Sequence, residues 1–261
     1  MNDTEADGDA QTLWHVPREV EFESGGEILR GYLYVPPGAR PVPCLVNNHG
    51  SNLRPGSSQV SRPQLAALSM SWGYAFFFPH RRGYGNSPGV PVTEAIAAPL
   101  GTAAYDDQIV RRLDEELEDV LAAVAAMRAR PEIDGGRVAV SGGSRGGILS
   151  LLAAAADPQL RAAVNFCGGA RQWANHPQLR RKMLAAAAAA TMPVYLAQAE
   201  NDLNISATLE VAAELERNGK EHECRIYPAW GASEKEGHLF DVLGAMIWGP
   251  DVRRFLDRCF A

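Results

Sequence analysis

The sequence predicts an α/β protein in which one mostly parallel sheet is flanked by helices. Short apolar runs alternate along the chain with longer segments of helical periodicity, and most of these runs end at glycine, proline, serine or asparagine. Continuous apolar runs are typical of strands buried on both faces, as in parallel sheets. The chain has 261 residues, the length of one large α/β domain. Since no internal repeat or linker divides it, we expect a single domain over residues 18–261.

The first strands are predicted to form a hairpin. Residues 19–23 and 28–35 are joined by Gly25-Gly26, a pair that accepts the positive φ angles of a tight turn. Further strands are predicted, each followed by turn residues, at residues 44–46, 74–78, 138–140, 162–166, 194–197 and 225–227.

Helices are predicted between most of these strands. The longest covers residues 105–130, where leucine, valine and methionine recur at helical spacing before Pro131. An acidic run in its earlier part contains Glu116 and Asp119, and we interpret this run as a solvated face. Further helices are expected over residues 147–156, 179–190, 207–218 and 251–259.

The N-terminal segment departs from this pattern. It is acidic and lacks the basic start and apolar core of a signal peptide, so we expect a disordered tail at residues 1–17 and a cytoplasmic location. The longest apolar window, residues 184–197, is mostly alanine and falls short of the ~20 residues that span a bilayer. No membrane association is therefore expected.

The net charge and the cysteine content of the chain indicate which kinds of partner it binds. Lysine and arginine number 25 against 31 aspartates and glutamates, a net charge of -6, which argues against a nucleic-acid-binding face. The cysteines show no C-x-x-C pair and no metal-binding spacing, so we expect buried free thiols. They are Cys44, Cys167, Cys224 and Cys259. Small molecules are the expected partners.

The chemistry is predicted to start at Ser144. The pattern Gly142-x-Ser144-x-Gly146 follows a buried strand and precedes an apolar helix, as in a nucleophile elbow. Small residues are needed two positions before and after the serine, because the sharp turn brings backbone segments close together. The N-terminus of the following helix also favours a developing oxyanion.

A serine nucleophile needs a base and an acid that orients it. In the expected chain order of serine, acid and histidine, Asp202 lies just beyond the 194–197 strand and His238 follows the last strand. Glu200 is an alternative to Asp202, although the turn spacing favours Asp202.

Two backbone N–H groups are expected to form an oxyanion hole. One would come from Arg145, directly after Ser144. The second would come from the loop after the 44–46 strand, where Ser51 is the candidate in His49-Gly50-Ser51. His49 could also be read as a metal ligand, but no second ligand is spaced to join it, so no metal site is expected.

These motifs, together with the 82–89 segment Arg-Gly-Tyr-Gly-Asn-Ser-Pro-Gly, resemble an α/β-hydrolase of the dienelactone-hydrolase-like and prolyl-oligopeptidase-like branch. The resemblance covers nearly the whole chain from Val20. It implies hydrolysis of an ester, lactone, thioester or amide, with Ser144 attacking, His238 moving the proton and Asp202 orienting His238. It implies no cofactor.

The chain departs from both branches of the resemblance. Dienelactone hydrolases carry cysteine where Ser144 stands, and prolyl-oligopeptidase relatives usually carry a propeller for which this chain has no room. A small-molecule esterase or lactonase is the leading expectation and a peptidase or amidase the alternative. An acyltransferase or perhydrolase and a non-catalytic binding protein remain open, as does the choice between monomer and homodimer.

The substrate pocket is expected to have a minimal cap. Residues 88–105 and 168–184 are the segments expected to cover it. Trp173, Trp230 and Tyr105 are candidates for the pocket or for the core. Arg145 and Arg82 could attract an acidic substrate or could simply be solvated.

Overall fold

The fold is built around a single sheet in a computed structural model that describes residues 16–38, 41–57 and 61–261. The strands are β1 (Arg18–Ser24), β2 (Glu27–Tyr34), β3 (Val42–Asn48), β4 (Ala75–His80), β5 (Ile133–Gly143), β6 (Ala162–Phe166), β7 (Val194–Ala199) and β8 (His222–Tyr227). Their order is β1-β2-β4-β3-β5-β6-β7-β8. The β1–β2 and β2–β4 pairs are antiparallel and the other pairs are parallel. The mostly parallel α/β prediction is confirmed.

Helices connect the parallel strands. They are α1 (Pro63–Ser71), α2 (Val92–Ala95), α3 (Ala103–Arg128), α4 (Arg145–Ala156), α5 (Pro177–Ala189), α6 (Ser206–Arg217), α7 (Glu234–His238), α8 (Phe240–Leu243) and α9 (Ala245–Phe260). Among the described residues, no helix is long and apolar enough to span a membrane. Of the tail predicted at residues 1–17, residues 1–15 lie outside the described part of the chain.

The sheet divides the core into two layers. On one face, side chains of α3, α4, α5 and α6 pack against the strands, and on the other face those of α1, α8 and α9 do so. Phe255, Leu256 and Phe260 of α9 are buried in the second layer, which places them in the core of this chain. This packing covers both faces of the inner strands and explains why β4, β6 and β7 are buried throughout, whereas the edge strand β8 is partly exposed.

The expected helix positions were incomplete near the C-terminus. The last helix was predicted to start after Pro250, but α9 begins at Ala245 and contains that proline, with Trp248 buried on its inner face. Helix α7 was not predicted, although Ser233 caps it by accepting a hydrogen bond from the Glu236 N–H. The Glu236 carboxylate accepts from the Ser233 hydroxyl in return. This Ser-x-x-Glu arrangement is a helix-start signal that the sequence carried.

Two expectations about burial were wrong. Glu116 and Asp119 do not belong to a solvated face: both are completely buried and paired with arginines. All four cysteines are free, but only Cys44 and Cys167 are buried, whereas Cys224 is exposed and Cys259 is half-buried.

Candidate active site

Ser144 lies at a sharp turn between β5 and α4. Its φ of 55° and ψ of -118° are unusual for a residue with a side chain. A Cβ atom added to Gly146 would lie 1.9 Å from the Asn48 carbonyl oxygen, and one added to Gly142 would lie 2.6 Å from it. Both glycines are therefore required where the strand, turn and helix approach β3, as the elbow pattern predicts.

The structure brings Ser144, His238 and Asp202 together. His238 Nε2 lies 3.0 Å from Ser144 Oγ, and His238 Nδ1 lies 2.8 Å from Asp202 Oδ1. The carboxylate can only accept, so Nδ1 carries a proton and Nε2 is left to accept the serine proton. This is the geometry of a nucleophile, a base and an orienting acid.

Asp202 is itself held in place. Gln198 Nε2 donates to Asp202 Oδ2 at 2.8 Å, and the Leu203 N–H donates to Oδ1 at 2.6 Å. The Thr208 hydroxyl donates to Gln198 Oε1 at 2.6 Å, which fixes the orientation of that amide. Glu200, the alternative acid, has an exposed side chain. The carboxylate in contact with His238 is that of Asp202.

The expected oxyanion donors flank Ser144. Arg145 is the first residue of α4, so its N–H belongs to the positive end of that helix. On the other side, a Cβ added to Gly50 would lie 3.6 Å from Ser144 Cβ, so the backbone at Gly50 passes beside the nucleophile. Ser51 is exposed, and its N–H as the second donor stays a prediction.

His49, which precedes this loop, is fully buried and neutral. Its Nδ1 lies 2.7 Å from the Gly50 carbonyl oxygen, while its Nε2 accepts from the Arg81 N–H at 3.2 Å. Only an imidazole with the proton on Nδ1 satisfies both contacts. Burial and the nearby Arg81 charge hold the pKa of His49 well below its usual range. The ring therefore links the backbone of Gly50 to that of Arg81.

A cavity of 270 Å³ opens beside Ser144. Its lining comprises Gly50, Asn52, Leu53, Arg54, Ser57, Arg62, Phe78, Gly143, Ser144, His238, Leu239, Asp241 and Val242. The segments expected to cover the site, residues 88–105 and 168–184, contribute nothing to this lining. These two segments therefore do not wall the cavity, whose walls come from the loop after β3, from the ends of β4 and β5, and from α7 and α8.

The aromatic residues and arginines that were candidates for the substrate pocket lie outside this cavity. Trp173 is buried in the core, and Trp230 and Tyr105 pack against the opposite core layer. Arg145 is buried and paired with Glu116, and Arg82 is paired with Asp119. Neither arginine is simply solvated, and neither lines the cavity.

Sequence reasoning missed Asp241. This carboxylate packs over Gly143, where an added Cβ would lie 1.9 Å from Asp241 Oδ2, and it lines the cavity with His238. Burial raises the pKa of Asp241, partly offset by the charges of Arg62 and His238. Its position three residues after His238 is the signal that could have pointed to it.

Cys167, predicted only as a buried free thiol, follows β6 and lies beside the triad. Cys167, Asp202 and His238 each offer one potential metal-ligand atom, and these atoms lie within 4.8 Å of one another. However, the imidazole and carboxylate groups are hydrogen-bonded to each other. Burial, followed by the charges of Asp241 and Asp202, raises the pKa of the Cys167 thiol well above its usual range. That effect disfavours the thiolate that a metal requires.

Sequence comparison identifies relatives of this chain. The model of the dienelactone hydrolase family matches residues 66–236. The quorum-quenching protein AidA of Acinetobacter baumannii is 29% identical over 151 residues, which cover 58% of this chain and 43% of AidA. The thiohydrolase aneE of Aspergillus aculeatus is 29% identical over 150 residues, which cover 57% of this chain and 41% of aneE. The chain thus spans less than half the length of these curated relatives.

Solved structures share the fold. The acylaminoacyl peptidase of Pyrococcus horikoshii superposes with a TM-score of 0.70 at 19% identity, covering 95% of this chain and 42% of the peptidase. A putative dienelactone hydrolase from Klebsiella pneumoniae gives a TM-score of 0.63 at 18% identity, covering 95% of this chain and 98% of that protein. At these identities the likeness establishes an α/β-hydrolase fold.

Proposed function

The chain belongs to the dienelactone hydrolase family, and on that premise we propose that it is a serine hydrolase of small esters or lactones. The observation that carries the proposal is the relay of two hydrogen bonds, 3.0 Å from Ser144 Oγ to His238 Nε2 and 2.8 Å from His238 Nδ1 to Asp202 Oδ1. A serine hydroxyl is a weak nucleophile unless a base accepts its proton. In this relay the base is His238, with its proton on Nδ1 and Nε2 free to accept the serine proton.

The proposed reaction has two halves. Ser144 Oγ attacks the substrate carbonyl carbon while its proton passes to His238 Nε2, and the carbonyl oxygen becomes an oxyanion beside the Arg145 N–H. Collapse of this intermediate breaks the bond to the leaving group, which takes the proton from His238 and leaves an acyl group on Ser144. Water then attacks the acyl-enzyme by the same steps, which releases the acid and restores Ser144.

Three features support small ester substrates. The 270 Å³ cavity is slightly smaller than the ~300–1,000 Å³ that is usual for small-molecule sites, so it suits a small substrate. Its walls are mixed, with Leu53, Phe78 and Val242 beside Arg54 and Arg62, as suits a compact, partly polar molecule. Thioesters join the proposed class because one relative is named a thiohydrolase.

The first experiment is labelling with a fluorophosphonate probe, because it tests the nucleophile without a known substrate. We expect one adduct on Ser144 by intact mass and peptide mapping, none in Ser144→Ala, and strongly reduced labelling in His238→Ala. Asp202→Asn should retain more labelling than His238→Ala, because the imidazole remains. Glu200→Gln is the matched control and should label at the wild-type rate.

Substrate panels then separate the alternatives. Turnover of p-nitrophenyl acetate, lactones or thioesters without cleavage of N-terminally blocked peptides would support an esterase, whereas preferential peptide cleavage would replace it with a peptidase. Transfer of the acyl group to alcohols or peroxide in preference to water would identify an acyltransferase or perhydrolase. Absence of any adduct, under conditions that label a known serine hydrolase, would refute the proposal.

A further inference from the structure

A fully buried carboxylate lies behind the nucleophile. Glu116 of α3 has no exposed side-chain surface. Arg145 donates to it twice, from Nε to Oε2 at 2.7 Å and from Nη2 to Oε1 at 3.2 Å. Arg81 Nε donates to Oε2 at 3.2 Å, and Arg112 Nε lies 3.3 Å from Oε1. The Glu116 carboxylate thus forms hydrogen bonds or ion pairs with three buried arginines.

The charge state of Glu116 follows from these neighbours. Burial acts to raise the pKa of its carboxyl group, but the guanidinium groups of Arg145, Arg81 and Arg112 outweigh burial and hold the pKa below its usual range. The carboxylate is therefore ionised at neutral pH and accepts charge-assisted hydrogen bonds, which are stronger than neutral ones.

The same arginines connect to both sides of the elbow. Arg145 directly follows Ser144 and begins α4. Arg81 reaches the other side, where its Nη2 donates to the His49 carbonyl oxygen at 2.7 Å. The next residue, Gly50, lies beside Ser144. A single arginine thus links Glu116 to each of the two backbone segments that flank the nucleophile.

We infer that Glu116 is a positioning residue that fixes the two halves of the oxyanion hole relative to each other. The inference rests on the proposed function. Oxyanion donors stabilise a transition state only when they are held at hydrogen-bond distance from the developing charge. Here β3 leads to one donor segment and β5 to the other, and Glu116 joins them through Arg81 and Arg145.

The test is Glu116→Gln, which preserves the shape of the side chain and removes its charge. Loss of a single oxyanion donor lowers kcat by about 100- to 1000-fold, so loosening both segments should lower kcat by roughly 10- to 100-fold. With p-nitrophenyl acetate, KM should change less than threefold, because the substrate cavity is untouched. The Ki of phenylboronic acid, whose tetrahedral adduct places an oxygen in the hole, should rise in step with the loss of kcat/KM.

Asp119→Asn is the matched control. Asp119 also lies on α3, is also completely buried and also pairs with an arginine, at 2.7 Å from Arg82 Nη2, but it makes no hydrogen bond or ion pair with Arg81 or Arg145. Both variants should lower Tm, whereas Asp119→Asn should keep kcat within about twofold of wild type. Equal losses of kcat in the two variants would show a structural role only and overturn the inference.

A second variant covers the case in which Glu116→Gln does not fold. Arg145→Lys keeps the positive charge and the backbone N–H but replaces a two-point contact with Glu116 by a single-point one. We expect about a tenfold loss of kcat and of the fluorophosphonate labelling rate, and wild-type rates would overturn the inference. If wild-type protein itself fails to label at Ser144, the proposed function fails instead.

Discussion

Replacing Ser144 by glycine should stabilise the protein relative to replacing it by alanine. At φ 55° and ψ -118°, Ser144 occupies a region that glycine enters freely and residues with a Cβ atom enter at a cost. Such strain amounts to about 1–3 kcal/mol. Alanine retains the Cβ and therefore the strain, whereas glycine releases it.

The net difference is smaller than the strain. Glycine loses about 0.5–1 kcal/mol more conformational entropy on folding than alanine does. Both variants lose the 3.0 Å contact with His238 Nε2 equally, so that loss cancels in the comparison. We therefore expect Ser144→Gly to be about 1 kcal/mol more stable than Ser144→Ala, which for a chain of this size is roughly 2–4 °C in Tm.

Differential scanning calorimetry at one pH measures this difference directly, and neither variant should react with a fluorophosphonate. Ser150 supplies the matched control, since it is a buried serine inside α4 with ordinary helical backbone. There the order should reverse, with Ser150→Gly about 1 kcal/mol less stable than Ser150→Ala. If Ser144→Ala is as stable as Ser144→Gly or more so, the elbow is not strained in solution and the reasoning is wrong.

Two further predictions concern stability. Gly146→Ala should lower Tm severely or prevent folding, because its Cβ would lie 1.9 Å from the Asn48 carbonyl oxygen, whereas Gly136→Ala, with its closest neighbour at 3.4 Å, should stay within about 0.5 kcal/mol of wild type. Near-equal Tm values for the two variants would contradict the close approach. Burial acts to raise the pKa of Glu132, but hydrogen bonds from the backbone and from two arginines outweigh it and lower the pKa from 4.5 to about 2. The ionised carboxylate therefore adds at most about 3 kcal/mol to the free energy of unfolding above pH 5. This contribution is lost as the pH falls towards 2. The Tm deficit of Glu132→Gln should therefore shrink between pH 6 and pH 2.5, and a constant deficit would contradict the assignment.

The sequence predicted the structure best where the local residue pattern matches the burial of the folded segment. The inner strands β4, β6 and β7 coincide with apolar runs, because strands covered on both faces need apolar residues throughout. The edge strands differ, since β1 alternates polar and apolar residues and β8 carries charged ones. The elbow at Ser144 was visible for a similar reason, since its close contacts admit only glycine at fixed spacings. Short helices such as α8 carry too few residues for any periodicity.

Buried charges were the features that local pattern could not reveal. Glu116 and Asp119 sit among other acids on α3, and nothing in that segment distinguishes them from exposed neighbours. Their partners are supplied by the β4 end and by α4, so burial becomes favourable only after the sheet has assembled. Asp241 could not be recognised from local pattern for the same reason, because its position over Gly143 depends on how α8 packs against β5.

The sheet order explains why the serine and the acid are separated by one strand. Ser144 follows β5 and Asp202 follows β7, and β6 lies between them. Two strand spacings amount to roughly 9–10 Å, too far for a direct contact between the two side chains. One imidazole ring with a hydrogen bond at each end, 3.0 and 2.8 Å long, spans that gap. The end of β6 then lies beneath the histidine, where the Cys167 thiol is 3.9 Å from the His238 carbonyl oxygen. Ser144, Cys167 and Asp202 therefore lie together because β5, β6 and β7 are parallel neighbours whose C-terminal ends share one edge of the sheet, and His238 reaches them from α7, which follows β8.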